Sequence, residues 1–232
     1  MSKLYIVGTP IGNLKDITYR AVETLHNVDY IFCEDTRTSS VLLKHYEIKT
    51  KTLSYHNFNE KEMAKKIVNL IQDGKEVAII SDAGMPVISD PGFEVIKQCE
   101  DSNIEVDVIG GPTALIHALI KSNFGASFTF LGFLKDKSQQ RLNFFETLDY
   151  GVYVCYVSPH KLIATLEDFD KHYQNRAEIF LIKEMTKKYE KFYRGFASDI
   201  ISELEDNIKG EFVLVFNYQK PKRVKVNKYA QN

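Results

Sequence analysis

Two α/β domains are the architecture this sequence predicts, on three observations. Strand-like and helix-like hydrophobic patterns alternate almost throughout the 232 residues, the beat of βαβ units with mainly parallel pairing in the first half. Apolar runs such as Val77-Ala78-Ile79-Ile80 and Phe212-Val213-Leu214-Val215-Phe216 have the length of buried strands and fall far short of the ~18 residues that cross a bilayer. Near Gly125 the uniform beat gives way to a half richer in aromatic and charged residues, which sets the expected domains at residues 1–125 and 126–218, with a basic tail over 219–232.

Taken in order, Leu4-Tyr5-Ile6-Val7 reads as the first buried strand. Asp16 stands as the expected cap of a helix whose apolar positions Ile17, Ala21, Leu25 and Val28 recur at helical spacing. Tyr30-Ile31-Phe32-Cys33 is a second strand, followed by a helix over 39–46 that Asp35 or Thr36 could cap, a role that suits Thr36 best. A helix built on Met63, Ile67, Leu70 and Ile71 ends at Gly74, a residue suited to the left-handed position after a helix, and the strand over 77–80 follows. Further strands fit 104–109, 128–131, 152–156, 177–182 and 212–216, and Ser158-Pro159-His160 opens a helix through Leu162 and Leu166.

Composition narrows the function classes. Hydrophobic residues make up 44% and charged residues 26%, a globular balance that excludes a disordered, collagenous or coiled-coil chain. Cys33, Cys99 and Cys155 stand far apart with no CxxC pair, so buried thiols are expected and no metal site is. The first residues carry no apolar segment of signal-peptide type, which makes the cytoplasm the expected compartment. A net charge of -1 conceals an asymmetry, because Lys220, Lys222, Arg223, Lys225 and Lys228 follow Phe212 with no acid among them, a pattern of an arm for nucleic acid or of a solvated tail.

Ligands of open α/β sheets collect outside the carboxyl ends of the strands. Four post-strand loops have unusual residues there: Gly8-Thr9-Pro10-Ile11-Gly12-Asn13, Cys33-Glu34-Asp35-Thr36-Arg37, the 81–92 loop, and Gly110-Gly111-Pro112-Thr113-Ala114. The first matches neither a dinucleotide fingerprint nor a P-loop. In the second, two carboxylates at a strand end call for Arg37 or a ligand as partner. The third concentrates two Asp, two Pro and two Gly in twelve residues, costly to order as a mere connector, and reads as a rigid backbone-lined ligand loop. The fourth opens a helix whose first N–H groups are free for a polar ligand.

Thr9-Pro10-Ile11-Gly12-Asn13-Leu14 with Asp16-Ile17-Thr18, Glu34-Asp35-Thr36-Arg37, the 81–92 loop, Gly111-Pro112, Ser158-Pro159-His160 and Lys209-Gly210-Glu211-Phe212-Val213-Leu214 resemble, in this order, the small-subunit ribosomal RNA methyltransferase I family, and the resemblance runs to about Phe216. That family is part of the tetrapyrrole methylase superfamily, the class III methyltransferases. The resemblance implies two α/β domains with a cleft for S-adenosylmethionine between them, a homodimer, and methylation of the ribose 2′-hydroxyl of a cytidine in the decoding region of small-subunit rRNA within the 30S subunit. Carried over by position, it implies cofactor contacts from Pro10, Ile11, Asp82, Ala83, Gly84, Pro86, Val87, Thr113, Ala114, Tyr156, Met185 and Phe212. Departures are Met85 in place of a common threonine, Gly110 for proline, Val157 for glutamate and Lys161 for arginine.

Methyl transfer from a sulfonium to an alcohol loses positive charge at sulfur, so positioning should carry most of the rate. The hydroxyl must also shed its proton, for which Glu34, Asp35, Asp82 and Glu184 are candidate acceptors, with Lys183 a candidate to lower a neighbouring hydroxyl's pKa. Arg37, Lys135, Lys137 and Arg141 are candidate phosphate contacts, the last three from a stretch resembling the family's basic loop. A methyltransferase of the same superfamily with another acceptor, and an inactive ribosome-binding relative, are the alternative readings.

Overall fold

The computed structural model describes residues 2–204 and 208–220 of the chain. The described residues divide into two compact units, the first formed by those up to His117 together with Glu184–Glu190, the second by Ala118–Lys183 together with those from Lys191 on. The division falls inside the helix Ala114–Ser122, ahead of the 125/126 break the composition marks. Of the basic tail, only Gln219 and Lys220 lie among the described residues.

The first unit is a five-stranded parallel sheet in the order β3-β2-β4-β1-β5, from β1 (Leu4–Val7), β2 (Tyr30–Cys33), β3 (Lys51–Ser54), β4 (Val77–Ile80) and β5 (Val106–Ile109). Both faces are covered, so alternate residues of one strand enter different cores. Ile6, Phe32, Val77 and Ile79 pack with Ala64, Ile67 and Ile71 of α3 (Glu60–Gln72) and with Val95 and Cys99 of α4 (Phe93–Asp101). Val7, Ile31, Cys33, Ala78 and Ile80 pack with Ala21 and Leu25 of α1 (Tyr19–Asn27) and Leu43 of α2 (Thr36–His45).

One helix start differs from the sequence expectation, and at a second the structure decides between two candidate caps. Thr18, not Asp16, caps α1, its hydroxyl accepting from the Ala21 amide at 3.1 Å, because residues 14–16 close a separate 3-10 turn. Asp35 rather than Thr36 caps α2 and accepts from the Arg37 amide at 2.8 Å.

The second unit carries a mixed sheet in the order β6-β7-β10-β8-β9: β6 (Thr129–Phe133), β7 (Gly151–Val157), β8 (Ala177–Lys183), β9 (Lys191–Gly195) and β10 (Phe212–Tyr218). Only β6 and β7 run parallel; the remaining pairs are antiparallel. Leu214 and Phe216 of β10 pack with Phe145 of α6 (Ser138–Phe145), with Leu166, Phe169 and Tyr173 of α7 (Leu162–Tyr173) and with Ile200 of α8 (Ala197–Glu203). The remaining helix, α5 (Ala114–Ser122), spans the division between units.

Candidate active site

In the first unit the chain leaves β1 toward the α1 face of the sheet and leaves β4 toward the α4 face, although β1 and β4 are hydrogen-bonded neighbours. A crevice must open where two adjacent strands send their connections to opposite faces, and this is the position at which doubly wound sheets bind ligands. Backbone pairing carries the two loops together past the strand ends. The Thr9 amide donates to the Gly84 carbonyl at 2.8 Å and the Gly84 amide to the Thr9 carbonyl at 3.1 Å. The buried Thr9 hydroxyl sits 3.2 Å from the Ser81 carbonyl oxygen, and the Ser81 hydroxyl donates to the Gly84 carbonyl at 3.3 Å.

Glycine is required here by proximity. A Cβ on Gly8 would lie 2.6 Å from the Met85 sulfur and 2.8 Å from the Gly111 Cα, so the loops after β1, β4 and β5 meet backbone to backbone. Gly84 also holds φ +83, and Ile11 lies against its open side. This convergence brings Pro10, Ile11, Asp82, Ala83, Gly84, Pro86, Val87, Thr113 and Ala114 to one end of the sheet. Met185 joins them because the 184–190 segment packs on the first loop: a Cβ on Gly12 would be 2.8 Å from the Met185 carbonyl oxygen and 2.6 Å from the Thr186 hydroxyl. That hydroxyl is buried without a hydrogen-bond partner, and Glu184 and Thr186 hold φ +51 and +63, a strain of the kind that clusters at ligand sites. Tyr156 and Phe212 belong to the second unit, where Tyr156 pairs in register with Val213 and Phe212 is buried.

The carboxylates at this end of the sheet differ in character. Both Asp35 oxygens are committed to Arg37, at 3.1 Å from Nε and 2.7 Å from the terminal guanidinium nitrogen, and this holds the Asp35 carboxyl down at about 2. Asp82 accepts from the Asp35 amide at 3.2 Å, yet burial and the neighbouring Asp35 charge raise it. Burial and then the Asp82 charge raise Glu34. Asp90, which the sequence reading did not single out, is pushed up to about 6 by burial and then by the charges of Glu34 and Asp82. Glu34, Asp82 and Asp90 are thus an electrostatically coupled group. Its sequence signal was present, since Asp90 sits in the same loop as Asp82, but only folding shows that the loop returns toward β2. Glu184 is ion-paired with Lys187 at 3.1 Å, and Lys183, in the second unit, lies 6.0 Å over the Phe212 ring.

Among the RNA candidates, Arg37, Lys135 and Lys137 are exposed, whereas Arg141 is only 2% exposed. The Arg141 guanidinium donates to Asp168 at 2.8 Å and to the carbonyls of Lys135 at 2.9 Å and Asp136 at 2.8 Å, and Ser138 donates to the other Asp168 oxygen at 2.6 Å. Arg141 is therefore corrected from a phosphate ligand to the internal tie of the loop that presents Lys135 and Lys137. A basic residue in a basic stretch gave no sign of this in sequence, because Asp168 lies on another helix. Among the described residues no group of three or more His, Cys, Asp or Glu could hold a metal ion, and all three cysteines are buried and free.

Residues 3–201 match the family model of tetrapyrrole (corrin/porphyrin) methylases. The chain is 52% identical over 217 residues to a ribosomal RNA small subunit methyltransferase I of Mycoplasmopsis pulmonis, covering 93% of this chain and 98% of that protein. It is 47% identical over 231 residues to the protein of the same name from Mesomycoplasma conjunctivae, covering 99% and 97%. The uroporphyrin-III C-methyl transferase of Thermus thermophilus, solved with S-adenyl homocysteine, shares the fold at a TM-score of 0.65 and 13% identity over 92% of this chain and 97% of its own. The chain belongs to the tetrapyrrole methylase family, among the relatives called ribosomal RNA small subunit methyltransferase I.

Proposed function

We propose that this protein transfers a methyl group from S-adenosylmethionine to the ribose 2′-hydroxyl of a cytidine in the decoding region of small-subunit rRNA, acting on 30S subunits as a cytoplasmic homodimer. The observation that carries the reading is the identity of about half the residues to relatives of that name over nearly the whole chain. The residues at the β1/β4 crevice fit the cofactor. Ile11, Val87 and Met185 are buried apolar groups suited to a nonpolar part of the ligand, and the missing side chains of Gly8 and Gly111 let the loops around the crevice meet backbone to backbone. When bound, S-adenosylmethionine supplies the electrophilic methyl group.

The protein's own contribution is to orient and to remove a proton. A lining built mainly of backbone and apolar side chains leaves the rate to alignment. The proton leaves toward the Glu34, Asp82 and Asp90 group, whose raised carboxyls are better bases than Asp35. Lys135 and Lys137, held out by the Arg141 tie, meet phosphate.

Incubation of the protein with labelled S-adenosylmethionine and 30S subunits tests the proposal. Label should enter the RNA and appear in an alkali-resistant dinucleotide, because a 2′-O-methyl group blocks cleavage at its phosphodiester. Label confined to a base, or to protein, would contradict it.

A further inference from the structure

Phe58 is 98% exposed and Phe93 is 70% exposed, so neither side chain gains burial from the fold. They stand on two loops that Glu60 ties together, one Glu60 carboxylate oxygen accepting from the Gly92 amide at 2.9 Å and from the Tyr55 hydroxyl at 3.2 Å. Phe58 lies in the loop after β3, and Phe93 is the first residue of α4, where the loop after β4 ends. Since β2 lies between β3 and β4 in the sheet, the two loops flank the end of β2, where Glu34 is. Charge on His56 acts on Glu34, and the Glu34 charge acts on Asp90, which places both loops beside the carboxylate group.

The neighbours of Phe58 are polar. His56 meets its ring edge-on with centroids 5.9 Å apart, and Asn57 is exposed beside it. A ring set among amide and imidazole groups, with a second ring on the adjoining loop, differs from the contiguous apolar patch of a protein interface. The two rings match the way unpaired RNA is held, with bases stacked on aromatic faces and base edges met by amides. Carboxylates nearby disfavour phosphates but leave the uncharged face of a base unopposed.

We infer that Phe58 and Phe93 form a stacking ledge for unpaired nucleobases of the rRNA substrate, flanking the nucleotide whose ribose reaches the carboxylates. The inference rests on the function proposed above and names how that site holds its acceptor. Phe58→Ala and Phe93→Ala should each raise the KM for 30S subunits about tenfold or more, and Phe58→Trp should restore it. Affinity for S-adenosylhomocysteine and the melting temperature should stay unchanged, which separates lost stacking from lost folding. A wild-type KM in the double alanine variant would overturn the inference. So would a dimer that becomes a monomer in light scattering, which would assign the ledge to a second copy of the chain. If the unsubstituted protein binds S-adenosylhomocysteine but methylates no 30S subunit, the proposed function falls, and this inference falls with it.

Discussion

Asp90 shows how one residue's surroundings set its chemistry. Its carboxyl is raised from 3.8 to about 6, so the folded protein binds more protons than the unfolded chain across that interval. Stability from this group is therefore full at the acid end, falls as pH rises through the interval, and stays lower above it. Asp90→Asn should stabilise the protein at pH 8 by on the order of 1 kcal/mol, after discounting for its partial exposure, and should flatten the fall. Thermal melts across pH 4–8 read this directly, and an unchanged melt at pH 8 would contradict it. If Asp90 takes the proton as proposed, the wild-type rate should climb through about pH 6. At this scale the sequence was partly legible. Glu34 and Asp82 stood out as carboxylates at strand ends, whereas Asp90 needed the return of its loop and Asp35 needed the geometry of Arg37 to be told apart from them.

Loops and their ties are the next scale. Breaking the Arg141–Asp168 pair leaves a buried charge without its partner, so Arg141→Ala should destabilise the protein by about 3–5 kcal/mol, read by urea unfolding. Lys135→Ala with Lys137→Ala should leave stability unchanged and reduce the salt dependence of RNA binding, by about 0.7–0.9 in log–log slope per lost phosphate contact. An Arg141→Ala protein of full stability, or a double Lys variant with wild-type salt dependence, would contradict these assignments. At Gly8 the expectation is steric: Gly8→Ala drives a methyl group into Gly111 and Met85, and should abolish cofactor binding in calorimetry while the circular dichroism of the fold persists.

Elements with an interior face announced themselves, since β1, β2 and β4 are short runs buried on both sides. β3 and β9 did not. Both are edge strands with exposed Lys residues and little apolar pattern, the composition that keeps edges from pairing with other chains. The cap of α1 is ambiguous in sequence because Asp16 and Thr18 are both good capping residues, and only the intervening 3-10 turn decides between them.

For the molecule as a whole, alternation of strand and helix sufficed to give α/β architecture with a parallel first sheet. It could not give the strand order, in which β4 enters between β1 and β2, and that order creates the crevice. Nor could it show that 184–190 belongs with the first unit, because the segment lies between two strands of the second and its packing on Gly12 is a long-range event. The activity proposed for this fold is ribose methylation of small-subunit rRNA. Its most direct test is to treat 30S subunits from a strain lacking this protein with the purified protein and S-adenosylmethionine, and to map the product by mass spectrometry. One cytidine in the decoding region should bear a methyl group on its ribose. A methylated base, or no methylated nucleotide from protein that binds the cofactor, would contradict it.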